Sequence, residues 1–234
     1  MKIHRFFVEE EISGKERISL ANPELLHQMS KVFRFQVGDT VILFNGTGSE
    51  TVCEITLLTK KVAEFSVLEK REGLARPKTQ IALYLSLIKK DNFEWVLQKG
   101  TELGVTRFVP VISERSEKKD LNMARAKKIV VEATEQSGWA NVPEIGEPVS
   151  LADILEQKDA VSENLVAFHL EGTPFEKSLV AGKTSLGILI GPEGGFSEKE
   201  IELFKSKNIP IYSLGKQTLR AETAAVAIAS LLLL

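Results

Sequence analysis

The chain has 234 residues, which is enough for one large domain or two small ones. Hydrophobic residues make up 43% and charged residues 26%, a usage that is ordinary for globular proteins and excludes a disordered chain. The single cysteine, Cys53, excludes an intrachain disulfide and a multi-cysteine zinc site, and a formal net charge of −2 requires any nucleic-acid binding to come from local basic patches.

The two ends of the chain indicate a cytoplasmic location. Residues 1–11 lack an apolar run of signal-peptide length and turn acidic at once. The longest apolar run, Ala224–Leu234, is too short to span a bilayer, so we expect no membrane association. His4, His27 and His169 are scattered without metal-ligand spacing, and we expect no metal site.

The N-terminal part of the chain has the pattern of β-strands. Asn45-Gly46, directly after an apolar run, is a strong hairpin signal. A polar segment with Gly and Pro, residues 69–78, indicates a linker after these strands. Strands are predicted at 41–44, 51–58 and 62–68, and a short helix at 23–33.

Strands and helices alternate after the linker, which favours a parallel sheet with helices on its faces and hence an α/β fold class. The predicted elements in chain order are a strand at 81–88, a helix at 92–103 ended by Gly104, a strand at 107–112, a helix at 121–137, strands at 165–170 and 187–190, a helix at 198–207, a strand at 211–214 and a final helix.

A glycine-rich loop follows the predicted strand 187–190. Ligands bind beyond the carboxyl ends of parallel strands, and glycines let the backbone approach a ligand closely. Ser197 and Glu200 form a capping-box pattern, so a helix begins there, and its free N–H groups could hold a carboxylate or phosphate. Ordinary turn chemistry is the alternative for this loop, which lacks the Gly-Lys-Ser/Thr ending of a phosphate-binding loop.

A second loop, residues 214–225, follows the next strand. Arg220 and Glu222 lie between an apolar strand and an apolar helix, where charges are costly without partners. They form either a structural ion pair or a functional pair.

Together, Gly-Pro-Glu-Gly-Gly-Phe at 191–196 and Leu-Gly-x-x-x-Leu-Arg-x-Glu-Thr-Ala at 214–224 resemble the RsmE family. These are SPOUT-class methyltransferases that methylate N3 of a uridine in 16S rRNA of the small ribosomal subunit. Trp139 stands where the family usually has Arg, and it could stack on a base or simply pack. Further blocks similar to the family are 5–7, 27–34, 37–39, 44–48, 99–105, 114–116 and 132–138.

The resemblance implies a PUA-like RNA-binding β-barrel at 1–72 and a SPOUT methyltransferase domain at 73–234, with a C-terminal trefoil knot and the donor site at about 165–234. It also implies a homodimer that holds rRNA across its interface and uses S-adenosyl-L-methionine as methyl donor. The residues that we assign to the donor are Leu170, Glu171, Gly191, Pro192, Glu193, Gly194, Gly195, Leu214, Gly215, Leu219, Arg220, Ala221, Thr223 and Ala224.

Methylation of uracil N3 requires removal of its proton or stabilisation of the developing anion. Arg220 is our first choice for stabilising that charge or holding the RNA, and Glu222 and Glu193 are candidates for accepting the proton. Each could instead be structural: Glu222 as a partner of Arg220, and Glu193 in ordering its loop.

Basic residues near aromatic ones are the predicted RNA contacts in the N-terminal part. Arg5, Lys31 and Arg34 lie among phenylalanines, a mixture suited to phosphate contact and base stacking, although we favour a core position for the phenylalanines. In the second domain, Lys99 and Arg115 are further candidates, the latter within a basic segment at 114–128 that could also be an ordinary solvated face.

Two other functions compete with methyl transfer. A non-catalytic rRNA-binding assembly factor would use the β domain alone, and the pair of glycine loops argues against it. An enzyme for small nucleotides would use the loop at 191–196 for phosphate, but that loop has no Lys.

Overall fold

The predicted Asn45-Gly46 hairpin joins two antiparallel strands in the computed structural model, which describes residues 3–117, 120–156 and 164–234. Gly46 has a φ of 82°, the left-handed conformation that this turn requires. The N-terminal sheet has five strands among the described residues, in the order β1-β3-β4-β5-β2; β1 runs parallel to β3 and the other pairs are antiparallel. These strands are β1 His4–Phe7, β2 Arg17–Leu20, β3 Thr40–Phe44, β4 Ser49–Leu58 and β5 Ala63–Glu72.

The short helix predicted at 23–33 is confirmed, and its second half is wider than an α-helix. Helix α1, Pro23–His27, begins at Asn22, whose Oδ1 accepts hydrogen bonds from the N–H groups of Glu24 and Leu25. It continues as a π-helix over Gln28–Val32. The apolar face of both turns packs on the N-terminal core.

The core of this first sheet contains Phe6, Leu43, Ile55 and Phe65, all fully buried. The two phenylalanines after the π-helix, Phe33 and Phe35, are partly buried and pack against it. The expected core position therefore holds for Phe6, whereas Phe33 and Phe35 lie at the edge of the core.

The prediction of a linker at 69–78 is wrong for its first four residues. Residues 69–72 are the end of β5, and Glu72 pairs with Ser49 of β4. The side chains of these four residues are polar or charged and give no apolar alternation from which a strand could be predicted. The residues are a strand because their backbone forms hydrogen bonds with β4.

Residue contacts divide the chain into two units. The first contains the residues up to Ala75 together with Thr134–Val142, and the second contains Arg76–Ala133 and Pro143–Leu234. Our prediction places residues 134–142 in the second domain and does not anticipate their return to the first unit. The boundary between residues 72 and 73 stays a prediction.

The second unit is built on a sheet in which every described pair of strands is parallel, as the alternating pattern predicts. The strand order is β12-β10-β11-β6-β7-β8, with β9 also on β7. The two-residue strands β8 and β9 are too short to leave a sequence pattern. The strands are β6 Gln80–Ser86, β7 Arg107–Ile112, β8 Glu144–Ile145, β9 Val149–Ser150, β10 Val166–Pro174, β11 Ser185–Ile190 and β12 Ile211–Ser213.

Helices connect these strands. The predicted stop at Gly104 is confirmed, since this residue has a φ of 100° and its N–H donates to the carbonyls of Gly100 and Thr101. Among the described residues, no helix is long and apolar enough to cross a membrane. The helices are α2 Lys90–Leu103, α3 Met123–Ser137, α4 Leu151–Glu156, a 3₁₀ helix at Lys177–Val180, α5 Glu198–Ser206 and α6 Ala221–Leu233.

The order of the last three strands positions the functional site. The chain passes from β10 to its neighbour β11, and then through α5 to β12 on the opposite side of β10. Such a reversal leaves a crevice beyond the carboxyl ends of the strands, where ligands bind in open parallel sheets.

Candidate functional site

A cavity of about 250 Å³ lies at the carboxyl ends of β10, β11 and β12. It is lined by Phe168, His169, Leu170, Ile190, Gly191, Pro192, Glu193, Gly194, Gly195, Phe196, Leu214, Gly215, Gln217, Thr218, Leu219, Ala221 and Ala224. The two loops that the sequence analysis singled out therefore form one concave surface.

Most of the residues that we assign to the donor line this cavity. Those that do are Leu170, Gly191, Pro192, Glu193, Gly194, Gly195, Leu214, Gly215, Leu219, Ala221 and Ala224. Glu171, Arg220 and Thr223 do not line it.

Six lining residues are not among those predicted from the sequence: Phe168, His169, Ile190, Phe196, Gln217 and Thr218. Phe196, Gln217 and Thr218 lie inside the two loops already singled out, so treating each loop as a whole would include them. Phe168, His169 and Ile190 belong to strands β10 and β11. Because ligands bind at the carboxyl ends of parallel strands, the last residues of each predicted strand could also have been included.

The loop after β11, residues 191–196, folds back on itself. A Cβ on Gly191 would lie 3.2 Å from the Phe196 nitrogen, so a side chain there would push the two ends of the loop apart. The N–H of Gly195 donates to the carbonyl of Pro192 at 2.8 Å, and Gly195 itself has a φ of 67°. At its three glycines, the loop consequently presents only backbone to the cavity.

Helix α5 begins directly after this loop with the predicted capping box, which is confirmed. Ser197 Oγ accepts the N–H of Glu200, and Glu200 Oε2 accepts the N–H of Ser197 at 2.8 Å. Phe196 packs edge-on against Phe204, with ring centroids 4.9 Å apart. The end of the loop is thus anchored in the core of the second unit.

Strand β10 forms the third wall of the cavity, at a point where its pairing with β12 is interrupted. The pairing between β10 and β12 shifts register between Phe168 and Thr173, so residues 169–172 bulge outward. Gly172 allows this because its Cα lies against Tyr212, where an added Cβ would come 2.4 Å from the carbonyl carbon. In the bulge, His169 Nδ1 accepts the N–H of Glu171 at 3.3 Å, which orients the imidazole ring.

Arg220 and Glu222 flank the start of α6. Arg220 caps the helix with its backbone, and its side chain is 84% exposed, while the Glu222 side chain is only 12% exposed. Their nearest charged atoms, Arg220 Nη1 and Glu222 Oε1, are 4.0 Å apart. The other carboxylate oxygen of Glu222, Oε2, is buried and has no hydrogen-bond partner among the described residues.

The carboxylate of Glu193 is bonded to a backbone N–H group rather than to a charged side chain. Its Oε1 accepts the N–H of Lys89 at 3.0 Å, just before α2 begins. The side chain is exposed and lies on the wall of the cavity. One carboxylate oxygen is therefore engaged in fixing the loop.

The five predicted RNA contacts lie in different environments. Arg5 is only 9% exposed and is paired with Glu50, and it donates to the carbonyl of Trp139 at 2.8 Å. These bonds give Arg5 a structural role and leave little of its guanidinium exposed, and an RNA contact of this residue stays a prediction. Lys31 and Arg34 are exposed.

The remaining two predicted RNA contacts both have partners within the second unit. Lys99 pairs with Glu102 at 2.9 Å. Arg115 is exposed, and its Nη1 donates to the carbonyl of Gly194 at 2.8 Å. Within the basic segment around Arg115, Lys118 and Lys119 lie outside the described residues.

Known proteins resemble this chain over its whole length. A family model described as an RNA methyltransferase domain matches residues 75–233, and one described as an RNA methyltransferase PUA domain matches residues 29–68. Ribosomal RNA small subunit methyltransferase E of Rickettsia conorii is 35% identical over 243 residues, covering 100% of this chain and 97% of the relative. The chain belongs to the RsmE family. The Bacillus subtilis protein of the same name is 31% identical, covering 95% of this chain and 93% of its own.

Two solved structures have the same fold. The ribosomal RNA small subunit methyltransferase E of Neisseria gonorrhoeae, bound to S-adenosyl methionine, superposes with a TM-score of 0.90 at 27% identity and covers 98% of this chain and 96% of its own. A putative methyltransferase of Legionella pneumophila in complex with the cofactor SAM also has a TM-score of 0.90, at 30% identity, with 99% and 97% covered. The predicted α/β fold class, with a PUA-like N-terminal domain and a methyltransferase domain after it, is confirmed for this RsmE family member.

Proposed function

We propose that this protein transfers a methyl group from S-adenosyl-L-methionine to N3 of a uridine in 16S rRNA of the small ribosomal subunit. The observation that carries the proposal is the cavity formed by the glycine loop, the β10 bulge and the loop before α6. Relatives of the RsmE family with the same fold bind this donor. Ribosomal RNA of the small subunit is the substrate that the name of such relatives specifies for them.

The residues present fit such a donor. An adenine ring requires an apolar slot with backbone hydrogen bonds, and Leu214, Leu219 and Ile190 line the cavity beside exposed main chain. At Gly194, an added Cβ would meet only Arg115 side-chain atoms within 4 Å, at 3.5 Å, so the rest of the space beside this Cα is open to a ligand. When bound, S-adenosyl-L-methionine supplies a methyl group already activated by the sulfonium.

The chain's own residues would then handle the uracil. Glu222 is our choice for accepting the N3 proton, because its Oε2 is buried and has no competing hydrogen bond among the described residues. Glu193 is the weaker choice, since one of its oxygens already binds the Lys89 N–H. The exposed guanidinium of Arg220 is free to approach the uracil anion or the RNA backbone.

The proposal extends to the assembly and to the path of the chain. A homodimer is implied by the family resemblance, and the exposed Leu231 and Leu234 at the end of α6 support an apolar contact there. Lys31 and Arg34 remain proposed RNA contacts of the first unit. The trefoil knot at about 165–234 likewise stays a prediction.

The test is methylation of small subunits purified from a strain that lacks the modification. Incubation with the protein and labelled S-adenosylmethionine should yield N3-methyluridine in 16S rRNA, identified by mass spectrometry of the nucleosides. Reactions without protein serve as controls. A protein that binds the donor in calorimetry but yields no methylated uridine would contradict the proposed base specificity.

A non-catalytic assembly factor is the competing function. It predicts binding of rRNA with no calorimetric response to S-adenosylmethionine. The cavity favours the enzyme, because an assembly factor would need no donor site.

A further inference from the structure

Arg115 contacts the glycine loop through both its guanidinium group and the aliphatic part of its side chain. Nη1 donates to the carbonyl of Gly194 at 2.8 Å and makes a longer contact with the carbonyl of Phe196 at 3.4 Å. Its Cβ and Cδ would both lie 3.5 Å from a Cβ on Gly194, so the aliphatic stem runs along the loop. One side chain from the end of β7 therefore holds two carbonyls of the loop that follows β11.

The neighbouring Glu114 ties the same two segments together. Its backbone N–H donates to Glu200 Oε1 at 2.8 Å, and its Oε2 accepts the hydroxyl of Ser197 at 2.6 Å. Glu200 and Ser197 also form the capping box of α5. The N-terminal end of α5 is consequently bonded to Glu114 as well as to itself, while Arg115 binds the loop just before it.

A tight turn holds this dipeptide in place. The N–H of Ser116 donates to the carbonyl of Ser113 at 3.1 Å, and the N–H of Ser113 donates to Ser116 Oγ at 3.2 Å. Both serines are buried. Glu114 and Arg115 are thus presented by a closed, bonded turn at the carboxyl end of β7 rather than by a free loop.

We infer that Arg115, supported by Glu114, is a positioning residue that sets the conformation of the glycine loop for binding the methyl donor. Gly191, Gly194 and Gly195 have no side chains with which to pack, and glycine loses more conformational freedom on ordering than any other residue. Bonds from outside the loop reduce the entropy that donor binding would otherwise cost. The inference rests on the proposed function for the identity of the ligand, but the ordering of the loop is testable without one.

The first experiment measures amide hydrogen exchange in the ligand-free protein. In Arg115→Ala, peptides covering residues 191–197 should exchange about tenfold faster than in the wild type, because a charge-assisted hydrogen bond and the stem contact are lost. Arg115→Lys keeps the charge and part of the stem but loses the planar guanidinium, so its exchange should lie in between.

Arg125→Ala is the matched control. Arg125 belongs to the same basic segment but pairs with Glu94 on α2, at 3.2 Å. Removing it deletes an equal charge without touching the loop, so exchange at 191–197 should match the wild type. Accelerated exchange in this control would show that charge, not position, is what matters and would overturn the inference.

The second experiment titrates S-adenosylmethionine in the absence of RNA. Arg115→Ala should weaken the donor about tenfold, and Arg125→Ala should leave its affinity unchanged. If Arg115 served only to bind RNA, Arg115→Ala would also bind the donor with wild-type affinity, and that result would contradict the inference.

The two measurements separate the inference from the proposed function. Wild-type exchange at 191–197 in Arg115→Ala overturns the positioning role whatever the donor does. Faster exchange in a protein whose wild type binds no donor would keep the positioning role and overturn the proposed function. If Arg115→Ala does not fold, the same comparison with Arg115→Lys decides, and exchange equal to the wild type in that variant overturns the role.

Discussion

The guanidinium of Arg220 lies 4.0 Å from the carboxylate of Glu222, at the limit of an ion pair, and the two side chains differ sharply in exposure. Arg220 is 84% exposed and Glu222 only 12%. A pair at this distance in which the cation is almost fully solvated contributes little to stability. The pair is therefore poorly explained as a structural bridge, and its two members are free for separate tasks at the start of α6.

Arg220→Ala should lower the rate of methyl transfer far more than the affinity for S-adenosylmethionine. Loss of a charged group that stabilises a developing anion typically lowers kcat about 100-fold or more. Donor affinity should change little, because the side chain does not line the cavity. Single-turnover methylation and calorimetry measure the two effects. Equal losses in both, or a collapse of the melting temperature, would make Arg220 a structural residue.

Glu222→Gln should abolish most of the methyl transfer while Glu193→Gln retains most of it. Glutamine keeps the shape of the side chain and removes its ability to accept a proton, a contribution of about 100-fold in general base catalysis. Glu193 is exposed and bonded to the Lys89 N–H, a bond that glutamine can also accept. Methylation rates at saturating donor compare the two variants directly. The reverse order would assign the base to Glu193.

Gly194→Val should block the donor by filling the space beside the loop. A valine placed where a ligand must approach costs about 1–3 kcal/mol, or about 5- to 150-fold in affinity. Gly194→Ala is the graded control, because its Cβ would meet Arg115 at an ordinary contact distance of 3.5 Å and leave the protein unstrained. Calorimetric titration should give a smaller loss for alanine than for valine. Wild-type affinity in both variants would place the donor elsewhere.

Cys53 should resist alkylation in the native protein. Burial raises the pKa of its thiol to about 11. Because the thiolate is the reactive form, only about 0.1% of the thiol would be ionised at pH 8, even before access is considered. Iodoacetamide at pH 8 should modify the native protein at least about 100-fold more slowly than the protein in urea, as followed by mass spectrometry. Rapid native modification would show that this strand of the first sheet opens readily.

Leu231→Asp should weaken the proposed homodimer. Leu231 is 52% exposed near the end of α6, and a charge there would have to be buried in any contact that this face makes. Light scattering coupled to gel filtration should give twice the chain mass for the wild type and a shift toward the monomer for the variant. Leu179→Asp, on the exposed 3₁₀ helix, is the control that should remain dimeric. A monomeric wild type would refute the dimer itself.

Local signals predicted much of the fold. The end of α2 followed from Gly104 and the start of α5 from Ser197 and Glu200, because caps and stops depend on residues within one turn of the chain. The alternation of strands and helices in the second unit predicted a parallel sheet for a similar reason, since each element carries its own periodicity. The polar strand end at 69–72 was mispredicted because its pairing partner, β4, supplies the bonds that hold it.

Arg5 marks the limit of a sequence pattern. A basic residue among phenylalanines has the composition of an RNA contact, yet its partners are Glu50 and the carbonyl of Trp139, which lies 134 residues further along the chain. Trp139 in turn belongs to the segment 134–142, which returns to the first unit. Neither contact has a local signature.

By itself, the sequence determined the fold class, the family and the two loops that carry the chemistry, because these depend on short motifs and on the periodicity of single elements. Only the tertiary structure decided that the β10 bulge completes the cavity, that Arg115 binds the carbonyl of Gly194, and that the Glu222 side chain is 12% exposed while that of Arg220 is 84% exposed. Those outcomes depend on which distant segments come within hydrogen-bonding distance of one another. Strand order and packing set that proximity, and no single stretch of sequence records it.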